Sequence, residues 1–117
     1  MFVLSIDFSF PVPYIMNYTI MKQLEHIEGI IRANRRYLHE RYKVKEIGIF
    51  GSYLHGDQKI SSDLDLLVEF DEPISLFDFI RLENELTRLI GVKVDMVVKE
   101  SLKPRIKERV IKEAQFL

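Results

Sequence analysis

Three acidic side chains and one glycine-serine pair could do chemistry in this sequence. Asp63 and Asp65 flank Leu64 in SSDLDLLVEF, and Gly51-Ser52 closes IGIF, with ten residues between the two groups. Apolar side chains alternate at Ile47 and Ile49 before the pair, and again at Leu64, Leu66, Val68 and Phe70. That period predicts strand, turn, strand over Ile47 to Phe70 and sets Asp63 and Asp65 on one side of the second strand. Like charges so close repel unless a cation lies between them. A divalent ion is the expected remedy, and oxygen ligands without nearby Cys or clustered His select Mg²⁺ or Mn²⁺ over zinc. A Gly directly after a buried strand lets the backbone approach a ligand, while the Ser hydroxyl and adjacent N–H groups suit a phosphate. If the two strands pair antiparallel, Gly51-Ser52 and Asp63-Leu64-Asp65 meet at one edge of the sheet, in one cleft.

The flanking segments must hold this hairpin. Ile20, Leu24, Ile27, Ile31 and Leu38, with Asn34 on the same stripe, predict one helix from about Ile20 to Arg41 lying on the sheet. His26 and His39 fall within it as surface residues. Tyr53-Leu54-His55 is expected to make one helical turn before Gly56, with Asp57 to Ser62 as the loop into the second strand. Asp71-Glu72-Pro73 ends that strand. Ser75 and Asp78 give a capped start to a helix from about Leu76 to Leu89, with Phe79, Leu82, Leu86 and Leu89 as its buried stripe and Gly91 as its stop. Val92, Val94, Met96 and Val98 then alternate as a third strand. A helix between two strands of one sheet implies a parallel crossover, so Asp95 is expected beside Asp63 and Asp65. The last segment, Ser101 to Phe116, predicts a helix capped by Ser101 with Pro104 in its first turn, its stripe of Leu102, Ile106, Val110, Ala114 and Leu117 closing the core.

Composition narrows the class. The chain has 117 residues, 47% hydrophobic and 30% charged, with no cysteine and a formal net charge of −1. That describes one globular domain without disulfides or Cys-ligated zinc. The charge exerts no general pull toward polyanions, so strong direct nucleic-acid binding is not expected. The tail from Lys99 to Glu113 carries six Lys/Arg against three Glu, and Arg32, Arg35 and Arg36 cluster earlier. Solvated helix faces are the expected account of both runs, with contact to a partner or a polyanion as the alternative. No apolar run is long enough to span a membrane or reads as a signal peptide, and a cytoplasmic setting follows as the expectation. Residues 1–18 read as an N-terminal extension, with Phe2 to Phe8 as an edge strand before a Pro11-Val12-Pro13 turn, as a segment packed on another chain, or as sequence upstream of a start at Met16 or Met21. Residues 19–117 read as a single domain.

Gly51-Ser52, ten intervening residues, then Asp63-Leu64-Asp65 and Leu-Leu-Val together resemble the signature of the DNA polymerase β-like nucleotidyltransferase superfamily. The short form, GSYLHG then SSDLDLLVEF, is similar to the minimal nucleotidyltransferases, the MntA-like antitoxins paired with HEPN-domain toxins. The resemblance covers roughly Ile20 to Leu117. It implies an α/β (α+β) fold, a small mixed sheet of three or more strands with helices on one face, like the polymerase β palm. It implies ATP as substrate and two Mg²⁺ ions, with Mn²⁺ as a substitute. Asp63 and Asp65 would bind both metals, Asp95 in GVKVDMVV would bind the one beside the nucleophile, and Gly51 and Ser52 would hold the β- and γ-phosphates. Many relatives have Ala-Arg where Leu54-His55 stand, which leaves protonated His55 or Lys59 to neutralise phosphate. The implied activity is AMP transfer from ATP to a protein acceptor, a tyrosine of a HEPN-type RNase toxin. The alternatives are the catalytic subunit of a two-chain small-molecule or RNA nucleotidyltransferase, and a non-catalytic antitoxin acting by occlusion. Either a homo-oligomer or a hetero-oligomer is compatible with the sequence.

Overall fold

The computed structural model describes residues 12–51 and 63–117, and for residues 12–21 the backbone alone. Along the described chain run α1 (Val12–Ala33), α2 (Arg35–Tyr42), β1 (Val44–Phe50), β2 (Leu64–Phe70), α3 (Leu76–Ile90), β3 (Val94–Val98), a 3-10 turn (Lys99–Ser101), α4 (Pro104–Glu113) and β4 (Gln115–Phe116). The strands form one mixed sheet in the order β3-β2-β1-β4. β1 is antiparallel to β2 and to β4, and β2 is parallel to β3.

The period-two pattern decides which way each strand faces. Ile47, Ile49, Leu64, Leu66, Val68, Val94 and Met96 turn to one side and join Ile27, Ile31, Leu38, Tyr42, Leu82, Leu86 and Ile90 in a single core. That apolar layer is the main stabilising term, at roughly 1.5–3 kcal/mol for each fully buried side chain. Its consequence for function is rigidity: residues 65 and 95, between core positions on β2 and β3, are pinned to the opposite side.

The helices differ from expectation in instructive ways. α1 begins at Val12 and runs through residues read as an extension, with Pro13 in its first turn, where a missing N–H costs nothing. The edge strand expected at Phe2 to Phe8 lies outside the described residues. The single helix to Arg41 is broken at Asn34, whose side-chain amide donates to the Ile30 carbonyl at 2.8 Å while its own N–H is shared between Ile30 and Ile31. A side chain that bonds the preceding turn competes with the helical ladder there, and α2 starts afresh. His26 and His39 are exposed, as expected, and His39 pairs with Asp71 at 2.8 Å.

α3 follows the sequence closely at its ends. The Asp78 N–H donates to the Ser75 hydroxyl at 3.1 Å, and Gly91 stops the helix with φ of 83°. Its buried stripe ends on Ile90 instead of Leu89, which is 37% exposed, because Leu82, Leu86 and Ile90 share the i, i+4 row. α4 departs further: it buries no residue, Ile106 is 44% exposed, and of the expected stripe only Leu117 packs on the core. Ser101 does not cap it, since its hydroxyl donates to the Val98 carbonyl within the 3-10 turn. The chain then returns to the sheet as β4, where Gly48 makes room for the Phe116 ring. A Cβ at position 48 would stand 3.0 Å from that ring.

Candidate active site

Two strand registers assemble the acidic cluster. In the parallel β2–β3 pair Asp65 stands beside Asp95, and Leu64 stands beside Val94. In the antiparallel β1–β2 pair Phe50 stands opposite Asp65, which brings the end of β1 to the start of β2. Asp63 immediately precedes β2, and Asp95 lies on the edge strand, exposed, while Asp63 and Asp65 are half-buried.

Gly51 closes the corner. Its φ is +80°, a conformation that side chains rarely adopt, and a Cβ there would run into the Asp65 carboxylate, 3.2 Å from its Cγ. Glycine is needed at this position for two independent reasons, and the second places the backbone against the acid. Ser52, His55 and Lys59 lie outside the described residues.

The electrostatics follow from the register. The Asp65 carboxyl is held above the usual carboxylate range, first by burial, then by the Asp95 charge beside it, then by Asp63. Partial relief comes from Lys93, whose ammonium lies 3.7 Å from Asp63 Oδ2. Among the described residues, no three His, Asp or Glu side chains close on a point tightly enough to hold a metal ion. The donor set still fits a hard divalent cation, because it is all carboxylate, faces one side of a rigid sheet and is electrostatically unsatisfied.

Lys93 was not singled out by sequence reasoning, because its contact with Asp63 arises only when β2 and β3 pair. It stands just before β3, where its carbonyl accepts the Leu64 N–H at 2.8 Å and so brings it beside Asp63. A cavity of about 700 Å³ lies elsewhere, at the far end of β2, lined by Phe70, Pro73, Leu76, Phe79 and Val98. It includes no member of the acidic cluster and is mostly apolar, so the reacting groups are not placed there.

The nucleotidyltransferase domain family matches residues 31–117. The protein adenylyltransferase MntA of Thermococcus cleftensis is 47% identical over 97 residues, covering 83% of this chain and 98% of that protein. A Methanocaldococcus jannaschii protein provisionally assigned the same activity is 47% identical over 91 residues, covering 77% and 93%. Among solved structures, one described as a minimal nucleotidyltransferase is 36% identical with a TM-score of 0.65, covering 81% of this chain and 92% of that one. A chain from a mutant MntA toxin–antitoxin crystal structure is 25% identical with a TM-score of 0.57, covering 78% and 68%.

Proposed function

Because the chain belongs to the nucleotidyltransferase family, in its minimal, MntA-like branch, we propose that this enzyme transfers AMP from ATP to a protein acceptor, a HEPN-type RNase toxin that is thereby silenced. The observation that carries the reading is the register of Asp65 beside Asp95, with Gly51 packed against the same carboxylate. That arrangement brings two carboxylates and a glycine backbone together, which supports reading them as metal-binding and phosphate-binding groups.

The chemistry is an in-line displacement. An acceptor oxygen bonds to the α-phosphorus of ATP, the bond from that phosphorus to the bridging oxygen breaks, and pyrophosphate leaves with the electron pair. Asp63 and Asp65 would hold two divalent ions, Mg²⁺ or Mn²⁺, and Asp95 would share the one next to the nucleophile. When bound, such ions stabilise the negative charge on the entering and leaving oxygens. Asp95 would also accept the proton of an incoming hydroxyl, a role its exposure on the edge strand supports. The Gly51 backbone, with Ser52, would receive the terminal phosphates. The hydrophobic layer behind β2 keeps Asp65 from retreating, so the cluster's repulsion is released by binding cations and not by rotation into the core.

A protein acceptor is supported by the activity named for the Thermococcus cleftensis relative, which is matched over nearly its full length. The MntA toxin–antitoxin structure supports the kind of partner. No described helix is long and apolar enough to cross a membrane, in keeping with a cytoplasmic setting. The test is transfer of label from α-labelled ATP to a co-purified partner in Mg²⁺. Asp63→Asn and Asp65→Asn should each abolish labelling with the fold intact by circular dichroism. Labelling that persists in both variants removes the metal assignment, and toxin inhibition that survives them without labelling favours occlusion.

A further inference from the structure

We infer that Lys93 is the resident counter-ion of the carboxylate cluster, holding Asp63 when no metal is bound and yielding those oxygens when a divalent cation arrives. The inference rests on the metal-dependent reading above and adds to it a residue that competes with the metal. Its basis is positional. Leu64 pairs with Val94 and Asp65 with Asp95, so one step earlier in the same parallel register Asp63 stands beside Lys93. The Leu64 N–H donates to the Lys93 carbonyl at 2.8 Å, which fixes the lysine backbone at that step. Lys93 immediately precedes β3 and lies two residues before Asp95. The four side chains therefore form a block, Asp63 with Lys93 and Asp65 with Asp95, three negative and one positive.

The ammonium lies 3.7 Å from Asp63 Oδ2, with the lysine side chain 76% exposed. Among the described residues, Lys45 and Lys99 are engaged with Glu69, toward the far end of β2. Two properties then set the role of Lys93. A single charge on a flexible stem in water makes a weak pair, so a divalent ion can displace it. Its tether next to Asp63 means the displaced ammonium stays at the site, where it can meet the negative charge of a triphosphate.

The test is Mn²⁺ binding to the whole chain without nucleotide, measured by titration calorimetry and by loss of the free-ion electron spin resonance signal. Lys93→Met and Lys93→Gln should bind Mn²⁺ about two- to fivefold tighter than the unaltered protein, the size expected for releasing an exposed ion pair. Lys93→Arg should leave the affinity near that of the unaltered protein, and Asp63→Asn should weaken it. Unchanged or weaker binding in both neutral variants, with the unaltered protein binding Mn²⁺ normally, overturns this inference alone. Absence of Mn²⁺ binding by the unaltered protein overturns the metal reading and the inference with it. A purely structural lysine would alter the melting temperature and leave the metal affinity where it was.

Discussion

Replacing Asp95 by Asn should make the metal-free protein more stable and the enzyme inactive. Asp65 and Asp95 occupy paired positions on neighbouring parallel strands, which lie about 4.8 Å apart. Two unit charges at that separation repel by ~3 kcal/mol at an effective dielectric of about 20. Asp95 is exposed and Asp65 only half-buried, so water screens much of this, and about 1 kcal/mol is the reasonable remainder. For a domain of this size that corresponds to a rise in melting temperature of roughly 4 °C. The assay is thermal unfolding in EDTA, followed by the same measurement with Mg²⁺ and a non-hydrolysable ATP analogue. The unaltered protein should gain stability from the ligands and Asp95→Asn should gain little. The pH dependence has a definite sign. Asp65 has a raised pKa in the fold, so its charged form costs stability above that pKa, and the cost disappears as pH falls through it. The advantage of Asp95→Asn should therefore shrink on acidification. A variant that melts lower than the unaltered protein in EDTA, or keeps the same advantage at acid pH, would refute the electrostatic account.

Gly51→Ala should lose nucleotidyl transfer by at least about tenfold and destabilise the fold by roughly 1–2 kcal/mol, because φ of +80° is costly for alanine and its Cβ meets the Asp65 carboxylate. Urea unfolding and labelled-ATP transfer on the same sample check both effects. Glu85 accepts hydrogen bonds from Tyr42 at 2.6 Å and Tyr37 at 2.7 Å, tying α3 to α2. These bonds hold its carboxyl below the usual range, and burial and the same carboxylate push Tyr42 up to about 12. Since Tyr42 is buried, Glu85→Gln should cost about 1–2 kcal/mol at neutral pH. In the unaltered protein that contribution is present above the ordinary carboxylate pKa and fades as pH falls through the lowered one, so the variant's stability curve should be flatter on the acid side.

The parts legible in the sequence were those governed by local rules. Alternation from Leu64 to Phe70 gave β2 within one residue of its start, Ser75 and Gly91 gave the ends of α3, and the crossover rule gave the parallel β2–β3 pair that brings Asp95 to Asp65. Features set by competition between local and distant contacts were not legible. Asn34 sits on an apolar stripe, and only its side-chain bond to Ile30 reveals why the helix breaks there. α4 has a convincing apolar period, yet the sheet it would cover draws its core from α1, α2 and α3 instead. β4 is two residues long, too short for any period, and its pairing depends on the space that Gly48 leaves for Phe116. Lys93 escaped attention for a similar reason: its meaning comes from the strand next to it, through the register with Asp63.

The most direct measurement is the intact mass of a HEPN-type partner after incubation with this chain, ATP and Mg²⁺. The account predicts mass gains in whole AMP increments, on tyrosine, that vanish with Asp65→Asn. A partner silenced without any gain in mass, or modified equally well by Asp65→Asn, would contradict it.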